Sequence, residues 1–196
     1  MCLPVKVEII STSNNWKEIM NAARNTVGKR DLSKEPSEEF KRKILLAEHS
    51  PIRLLQIHWR FINLPYWVSV HFSRHKHGIE HFVTTQRGDR IGNDRDKKNQ
   101  GSPVTHEIVA NAQAIINISR KRLCLQASLE TRTAWKAFLE LLNNYEPALV
   151  DVCTPECIYR GFCPEIFPCG AYDSEYFDYD KFTYDSIKPK GGDLDG

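Results

Sequence analysis

The feature that most constrains the fold is an alternation of apolar and polar residues from Leu54 to Phe61. Apolar side chains occupy every second position from Leu55 onward, and polar side chains lie between them. Because successive side chains of a β-strand point to opposite faces, this period predicts a strand with one buried face. A shorter alternation from Val5 to Ile10 predicts a second strand of the same kind.

Most of the remaining sequence up to about residue 145 has a helical hydrophobic period. The pattern predicts helices at about 16–25, 37–48, 66–75, 105–126 and 129–145. Asn63 is a candidate cap for the third helix, since Pro65 suits a first helical turn. The fourth helix would carry Cys124 on its apolar face, in the core. Between the third and fourth helices, residues 88–103 contain almost no apolar side chains and predict a mobile loop.

These elements predict one domain at 1–150 that combines strands with long helices, an α+β (α/β) fold, followed by a segment at 151–196. The whole 196-residue chain has a formal charge of +2, which does not favour a nucleic-acid partner. It contains neither a signal sequence nor a run near the roughly 20 apolar residues of a membrane span. We therefore expect a cytoplasmic protein that binds neither membranes nor nucleic acid.

The C-terminal segment begins with four cysteines, Cys153, Cys157, Cys163 and Cys169, in the spacing C-x3-C-x5-C-x5-C. Four thiolates are a common ligand set for structural zinc, although this spacing is not that of the usual paired knuckles. Free thiols, or disulfides outside the cell, are the alternatives. The acidic stretch that follows is rich in aromatic residues as far as Tyr184. We expect residues 172–184 to lie along the body or a partner subunit, and the Gly-Gly end to be loose.

Positive charge is concentrated between Phe72 and Arg90. Seven of these residues are or can become cationic, and only Glu80 and Asp89 oppose them; the cationic ones are Arg74, His75, Lys76, His77, His81, Arg87 and Arg90. Planar Arg side chains suit phosphate oxygens, so the stretch predicts an anion-binding site. A solvated basic loop at a helix C-terminus is the alternative, because the helix dipole favours cations there.

The order of short motifs resembles that of the flavin-dependent thymidylate synthases. That family has an Ala-Ala-Arg helix, a His-Glu-Ser/Thr-Pro turn, an Arg-His-Arg signature and a Ser-x-Arg step. The matching motifs here are Ala22-Ala23-Arg24, Glu48-His49-Ser50-Pro51, Arg74-His75-Lys76 and Thr85-Gln86-Arg87. The resemblance covers about residues 16–87 and extends more weakly to Trp135.

The resemblance implies a mixed antiparallel sheet flanked by long helices, assembled as a homotetramer whose active sites are shared between subunits. It also implies methylation of dUMP to dTMP by a flavoprotein, as in a phage-type member. The cofactor would be FAD, methylenetetrahydrofolate would supply the carbon, and NADPH would reduce the flavin.

Site residues carry over by motif. The resemblance implies that FAD is bound by Arg74, His75, Lys76, Ser50, Thr26 and Gln126. It implies that the nucleotide is bound by His71, Thr85, Gln86 and Arg87, with Arg120 or Arg122 replacing a later family Arg. No nucleophile is implied.

The sequence departs from the family signature at several positions. Lys76 replaces the second Arg of the signature, Thr85 replaces its Ser, and the Asn-Glu pair inside it is missing. Two alternatives therefore stay open. One is a flavin and folate enzyme that acts on another pyrimidine nucleotide or installs a hydroxymethyl group, and the other is a non-catalytic nucleotide-binding protein on the same scaffold.

Overall fold

A computed structural model describes residues 4–31, 33–92 and 94–188. Its central element is a four-stranded antiparallel sheet with the strand order β1-β2-β4-β3. The strands are Lys6–Thr12 (β1), Gln56–Pro65 (β2), Ile79–Val83 (β3) and Pro103–Asn111 (β4). The sheet and its flanking helices confirm the predicted α+β fold.

The other main elements are helices, some of which pack against one face of the sheet. They are Trp16–Asn25 (α1), Glu38–Leu46 (α2), Tyr66–Ser73 (α3), Gly88–Ile91 (α4), Ala112–Arg122 (α5), Leu129–Leu142 (α6), Pro147–Asp151 (α7), Glu156–Arg160 (α8) and Asp178–Ser186 (α9). Short 3₁₀ turns occur at Ser50–Leu54, Arg95–Lys97, Ala171–Asp173 and Glu175–Phe177. No helix among the described residues combines the length and the apolar character needed to cross a membrane.

The alternation in β2 divides the two faces of the sheet as predicted. Trp59 and Phe61 are fully buried on one face, where Trp59 stacks on Phe138 of α6 and Phe61 stacks on Phe72 of α3. The other face carries polar pairs: His58 contacts Glu107 at 2.8 Å, and Arg60 contacts Glu8 at 2.7 Å. The aromatic face therefore anchors α3 and α6, and α3 leads into the cationic stretch.

The helix predicted at 105–126 is wrong in its first half. Residues Pro103–Asn111 form β4, one of the two inner strands, and only Ala112–Arg122 is helical. The alternating buried positions of β4 include His106, which is 0% exposed, and this polar residue hides the strand period in the sequence. Asn111 then caps α5, because its Oδ1 accepts a hydrogen bond from the Ala114 amide at 2.9 Å.

Three further local predictions need correction. Cys124 lies half-buried in the turn after α5 rather than on a helical core face. The residue at the N-cap of α3 is Pro65, and Asn63 instead adopts a positive φ of 59° beside a register shift in β2. The loop predicted at 88–103 contains a short helix and a 3₁₀ turn.

Strand β3 was not predicted, and a glycine positions it. Gly78 has a φ of 70°, and its carbonyl accepts a hydrogen bond from the Asn111 amide at 2.9 Å. A Cβ at this position would collide with the Asn111 side chain. Gly78 therefore lets the chain turn from α3 into β3, alongside β4, within the cationic stretch.

Hydrophobic side chains of the C-terminal segment divide between two clusters. The main core extends from Trp16 to Cys153, beyond the boundary predicted at residue 150. Beyond it, Phe177 and Tyr184 are buried in a second, smaller cluster that Leu46 and Leu125 also contact. The aromatic stretch thus lies along the body as expected, and the Gly-Gly end lies outside the described residues.

Candidate functional site

Tyr66, the first residue of α3, lines two adjoining pockets, which together we name the Tyr66 groove. The larger pocket, about 510 Å³, is lined by Tyr66, Val83, Thr84, Thr85, Gln86 and Arg87. The smaller pocket, about 240 Å³, is lined by Tyr66, Trp67, Val70, His71, Arg74 and Gln100. The groove therefore brings together residues from both motifs of the cationic stretch.

Backbone hydrogen bonds fix both sides of the groove. The Tyr66 amide donates to the Ser102 carbonyl at 3.0 Å, which holds the start of α3 against the segment that precedes β4. Opposite, the Thr84 amide donates to the Thr105 carbonyl at 2.9 Å, so residues 84–87 leave the sheet from a fixed point. Both sides of the groove are therefore hydrogen-bonded to β4 or to the segment that precedes it.

His75 lies just after α3, where the side chains of Arg122 and His81 fix it. Its Nε2 accepts a hydrogen bond from Arg122 Nε at 3.0 Å, and its carbonyl contacts His81 Nε2 at 2.9 Å. Arg122 also donates through Nη2 to the His71 carbonyl at 2.7 Å. Because an imidazole nitrogen that accepts from a guanidinium carries no proton, this geometry holds His75 neutral.

The electrostatics agree with a neutral His75. Burial and the charge of Arg122 lower the pKa of His75 to about 4. Burial, with a contribution from His81, lowers the pKa of His106 to about 3, and the two rings meet where His81 Nδ1 contacts His106 Nε2 at 3.0 Å. The site therefore keeps its fixed positive charge on the arginines.

The cations near the C-terminal end of α3 lack acidic partners among the described residues. Burial and the neighbouring charge of Arg74 lower the pKa of Arg122. Within residues 4–31, 33–92 and 94–188, no carboxylate pairs with Arg74, Lys76 or Arg122 in the salt bridges of the structure. Since like charges held close together repel, a bound anion would stabilise this arrangement.

Arg87 differs because it has an acidic partner. Its guanidinium donates to both carboxylate oxygens of Asp89, at 3.0 and 2.6 Å, and both side chains are mostly exposed. The hydrogen bond to Asp89 raises the pKa of Arg87. Arg87 lines the groove, but a phosphate would have to compete with Asp89 for its donors.

Several predicted site residues do not line the Tyr66 groove. Arg120 pairs closely with Glu48, and its guanidinium lies 3.5 Å from the Tyr159 ring centroid. Thr26 donates to the Ala23 carbonyl at the end of α1, and Gln126 donates to the Phe167 carbonyl at 2.8 Å. Lys76 and Ser50 are exposed outside both pockets, Ser50 in the 3₁₀ turn that packs near α1.

The four predicted zinc ligands do not all share one environment. Cys153 is buried in the main core, whereas Cys157 belongs to the second cluster, against which Cys163 packs. Cys169 is exposed. Among the residues that the structure describes, no three His, Cys, Asp or Glu side chains are gathered closely enough to hold a metal ion.

The sequence did not identify two residues that build the site: Tyr66 joins the two pockets, and Thr131 Oγ1 lies 3.0 Å from His71 Nδ1. His81 was named only for its charge, whereas the structure places it on β3 in contact with the His75 carbonyl. The alternation of Ile79, His81 and Val83 was a usable signal for β3 and hence for His81. The contact between α6 and α3 that brings Thr131 to His71 has no counterpart in local sequence.

No protein-family model matches the sequence, and no curated protein is similar to it in sequence. Solved structures are similar in fold. One is the UMP/dUMP methylase PolB from Streptomyces cacaoi bound with 5-Br dUMP, at 11% identity and a TM-score of 0.62, covering 81% of this chain and 96% of that chain.

Two structures of the flavin-dependent thymidylate synthase ThyX from Helicobacter pylori with FAD and dUMP are also similar. They have identities of 15% and 13% and TM-scores of 0.59 and 0.60, and each comparison covers 76% of this chain and 99% of that chain. The chain therefore has the fold of these enzymes. The resemblance predicted from short motifs is confirmed for the fold.

Proposed function

We propose that this protein is a flavin-dependent enzyme that methylates a pyrimidine nucleotide, converting dUMP to dTMP. The observation that carries the proposal is the Tyr66 groove, where the Arg74 and Thr85-Gln86-Arg87 motifs meet on the fold of flavin-dependent thymidylate synthases. The FAD and dUMP in the ThyX structures, and the nucleotide analogue in PolB, support a pyrimidine nucleotide as the ligand.

The residues near the C-terminal end of α3 fit FAD. Arg74 and Lys76 are exposed cations without carboxylate partners among the described residues, and a dinucleotide pyrophosphate would neutralise them. Arg122 adds positive charge near Arg74, and it donates a hydrogen bond to the neutral His75. Arg24 on α1 also has a buried Nη1 without a hydrogen-bond partner, as expected of a group that contacts a ligand or a second subunit.

The nucleotide would occupy the larger pocket. Arg87 and Thr85 would bind the 5′-phosphate, because a guanidinium and a hydroxyl supply charge-assisted and neutral donors. Gln86, and His71 from the adjoining smaller pocket, would contact the remainder of the nucleotide. Burial and the charges of Arg122 and Arg74 lower the pKa of His71, which suits a neutral hydrogen-bonding ring.

FAD, when bound, would deliver the hydride that reduces the transferred methylene group to a methyl group, with methylenetetrahydrofolate as carbon donor and NADPH as reductant. The protein's own contribution is to hold anionic ligands in fixed positions. Thr26, Ser50 and Gln126 lie outside the Tyr66 groove. In the homotetramer with shared sites that the resemblance implies, a second subunit would bring them to the same flavin.

The first test is the absorbance spectrum of purified protein, followed by a product assay. We expect near-stoichiometric flavin, and formation of dTMP from dUMP that requires both methylenetetrahydrofolate and NADPH. Protein that is colourless and fails to bind added FAD would leave a non-catalytic nucleotide-binding protein as the conclusion.

A second candidate is the same chemistry on another pyrimidine nucleotide. The structural similarity to a UMP/dUMP methylase favours it, as does the replacement of signature residues by Lys76 and Thr85. Assays with UMP and dUMP in parallel separate the two substrates. The product mass distinguishes a methyl group from a hydroxymethyl group.

A further inference from the structure

A pocket of about 190 Å³, which we name the α6 pocket, is lined by residues of α6 and of the C-terminal segment. Arg132 and Lys136 contribute from α6, and Tyr176, Phe177 and Asp180 contribute from the C-terminal segment. In the described part of the chain, it shares no lining residue with the Tyr66 groove. The α6 pocket is therefore a separate cavity that the proposed flavin and nucleotide sites do not use.

Arg132 contributes an unsatisfied donor to this pocket. Its Nε is buried, and no group among the described residues accepts a hydrogen bond from it. Because buried N–H groups are normally paired, this donor calls for a partner from outside the protein. The guanidinium is planar, so Nε and a neighbouring Nη can donate together to both oxygens of one carboxylate. The free donor therefore favours a planar oxyanion.

The charges of the pocket favour a ligand with one negative charge. Arg132 and Lys136 lie on the same face of α6, because they are one helical turn apart. Asp180 opposes them, but no salt bridge within residues 4–31, 33–92 and 94–188 includes any of these three side chains. Two cations and one carboxylate leave one positive charge in excess. A carboxylate matches that excess better than a phosphate monoester, which carries about −1.5 to −2 at pH 7.

The pocket also has apolar walls. Leu123 and Phe177 are buried, at 9% and 5% exposed, and Leu125 lies beside them half-buried. Ligand pockets of this kind, apolar with a few polar groups, bind the apolar body of a ligand on their walls and orient it through the polar groups. The combination indicates a small organic acid rather than an inorganic ion.

We propose that the α6 pocket binds a small monocarboxylate with an apolar body. Its carboxylate accepts hydrogen bonds from Arg132 and Lys136, and its body packs on Leu123, Leu125 and Phe177. Because α6 and the C-terminal segment both line the pocket, the bound ligand holds this segment against the body of the protein. The proposal does not depend on the flavin chemistry proposed above.

The first experiment follows the fluorine NMR signal of fluorobenzoate as the full chain is added. We expect saturable broadening of the signal that benzoate reverses, and phenyl phosphate, which has the same apolar body, should compete at least tenfold less well. Arg132→Lys keeps the charge but removes the paired donors, and Lys136→Ala removes the second cation, so each should weaken binding by about tenfold. The exposed Arg53→Lys is the matched control and should bind as the unaltered chain does.

Circular dichroism identifies the folded variants, and Lys136 is exposed, so its replacement leaves the core intact. Absence of saturable fluorobenzoate binding to the unaltered chain would overturn the proposal. Binding of equal strength in folded Arg132→Lys and Lys136→Ala would overturn it as well, since the probe would then occupy another site.

Asp180→Asn tests the selectivity for a single charge. Loss of the opposing carboxylate should strengthen phenyl phosphate binding by about fivefold, and fluorobenzoate binding by less, because the phosphate carries more charge. Asp178→Asn, on the same helix but outside the pocket, should change neither. An unchanged ratio of the two affinities in Asp180→Asn would contradict the proposed charge balance.

Hydrogen exchange measured by mass spectrometry locates the bound probe. Saturating benzoate should slow amide exchange in residues 176–186 of the unaltered chain, and it should have no effect at the same concentration in Arg132→Lys. Unchanged exchange in this segment, or equal protection in Arg132→Lys, would refute binding between α6 and the C-terminal segment.

Discussion

Arg74 and Arg87 border the same groove but differ in what they contact. Arg74 is exposed without a carboxylate partner among the described residues, whereas Arg87 donates twice to Asp89. We expect Arg74→Ala to abolish flavin binding and Arg87→Ala mainly to weaken nucleotide binding, by about tenfold or more, since charge-assisted hydrogen bonds contribute about 1.5–3 kcal/mol. Flavin content and nucleotide titration by calorimetry measure the two effects separately.

Asp89→Asn is the matched control for Arg87. The surface pair is worth at most about 1 kcal/mol, so removing the competing charge should tighten nucleotide binding by up to about fivefold. Unchanged binding of both ligands in Arg74→Ala and Arg87→Ala would refute the proposed site.

The buried histidines predict how stability depends on pH. The folded pKa of His106 is about 3, far below the ordinary value of about 6.5. As pH falls below about 6.5, the unfolded chain takes up a proton there that the folded chain does not. The free energy of unfolding should therefore fall by up to about 1.4 kcal/mol per pH unit between about pH 6 and 4, with a further contribution from His75.

Urea unfolding at pH 7.0 and 5.5 tests this prediction. His106→Gln removes one titrating group, so its unfolding free energy should change less between the two pH values. The exposed His77→Gln serves as control and should keep the slope of the unaltered chain. Equal slopes in all three proteins would contradict a neutral, buried His106.

At the scale of elements, one buried hydroxyl joins α5 to α6. Ser119 is 0% exposed, accepts a hydrogen bond from Trp135 Nε1 at 2.9 Å, and donates to the Ile115 carbonyl. Ser119→Ala leaves the indole N–H buried without a partner, so we expect a loss of about 1–3 kcal/mol in unfolding free energy.

A double-mutant cycle checks the origin of that loss. In a Trp135→Phe background the orphaned donor is absent, so Ser119→Ala should cost measurably less. The exposed Ser186→Ala should change stability by no more than about 0.5 kcal/mol. A Ser119→Ala effect of the same size in both backgrounds would show that the hydrogen bond is not its cause.

The elements differ in how well the sequence predicted them, and the difference has a physical reason. α1 was predicted with its observed bounds, and β2 was predicted as a strand although it begins two residues later and ends four residues later than expected. Both predictions succeeded because each element buries one face with an uninterrupted apolar period. β4 was predicted as helix because the buried His106 interrupts its alternation, and its apolar residues also fit a helical stripe. His106 contacts His81 of β3, which is distant in sequence, so no local sequence pattern reveals why a histidine is buried there.

The candidate site was predicted unevenly for the same reason. The cations of the stretch from Phe72 to Arg90 are close in sequence, so their concentration was visible. Tyr66 and Thr131 contribute through packing of α3 against the segment before β4 and against α6. Contacts between distant segments are decided by the assembled core, and no window of sequence contains them.

At the scale of the whole molecule, the residues proposed to bind the ligands lie in separate parts of the chain's surface. His71, Arg74 and Thr85-Gln86-Arg87 lie around the Tyr66 groove, while Ser50 and Thr26 are exposed elsewhere. In the homotetramer that the resemblance implies, two subunits would contribute to each site. Light scattering should then give a mass four times that of the 22.6 kDa chain.

Mixing inactive variants tests the division directly. We expect Arg74→Ala and Ser50→Asp each to abolish dTMP formation, the second because its carboxylate repels the flavin phosphates. When the two are refolded together, about a quarter of the sites should combine one intact part from each subunit, and activity should return in that proportion. If each subunit supplied the whole site, every site would carry one defect and the mixture would remain inactive.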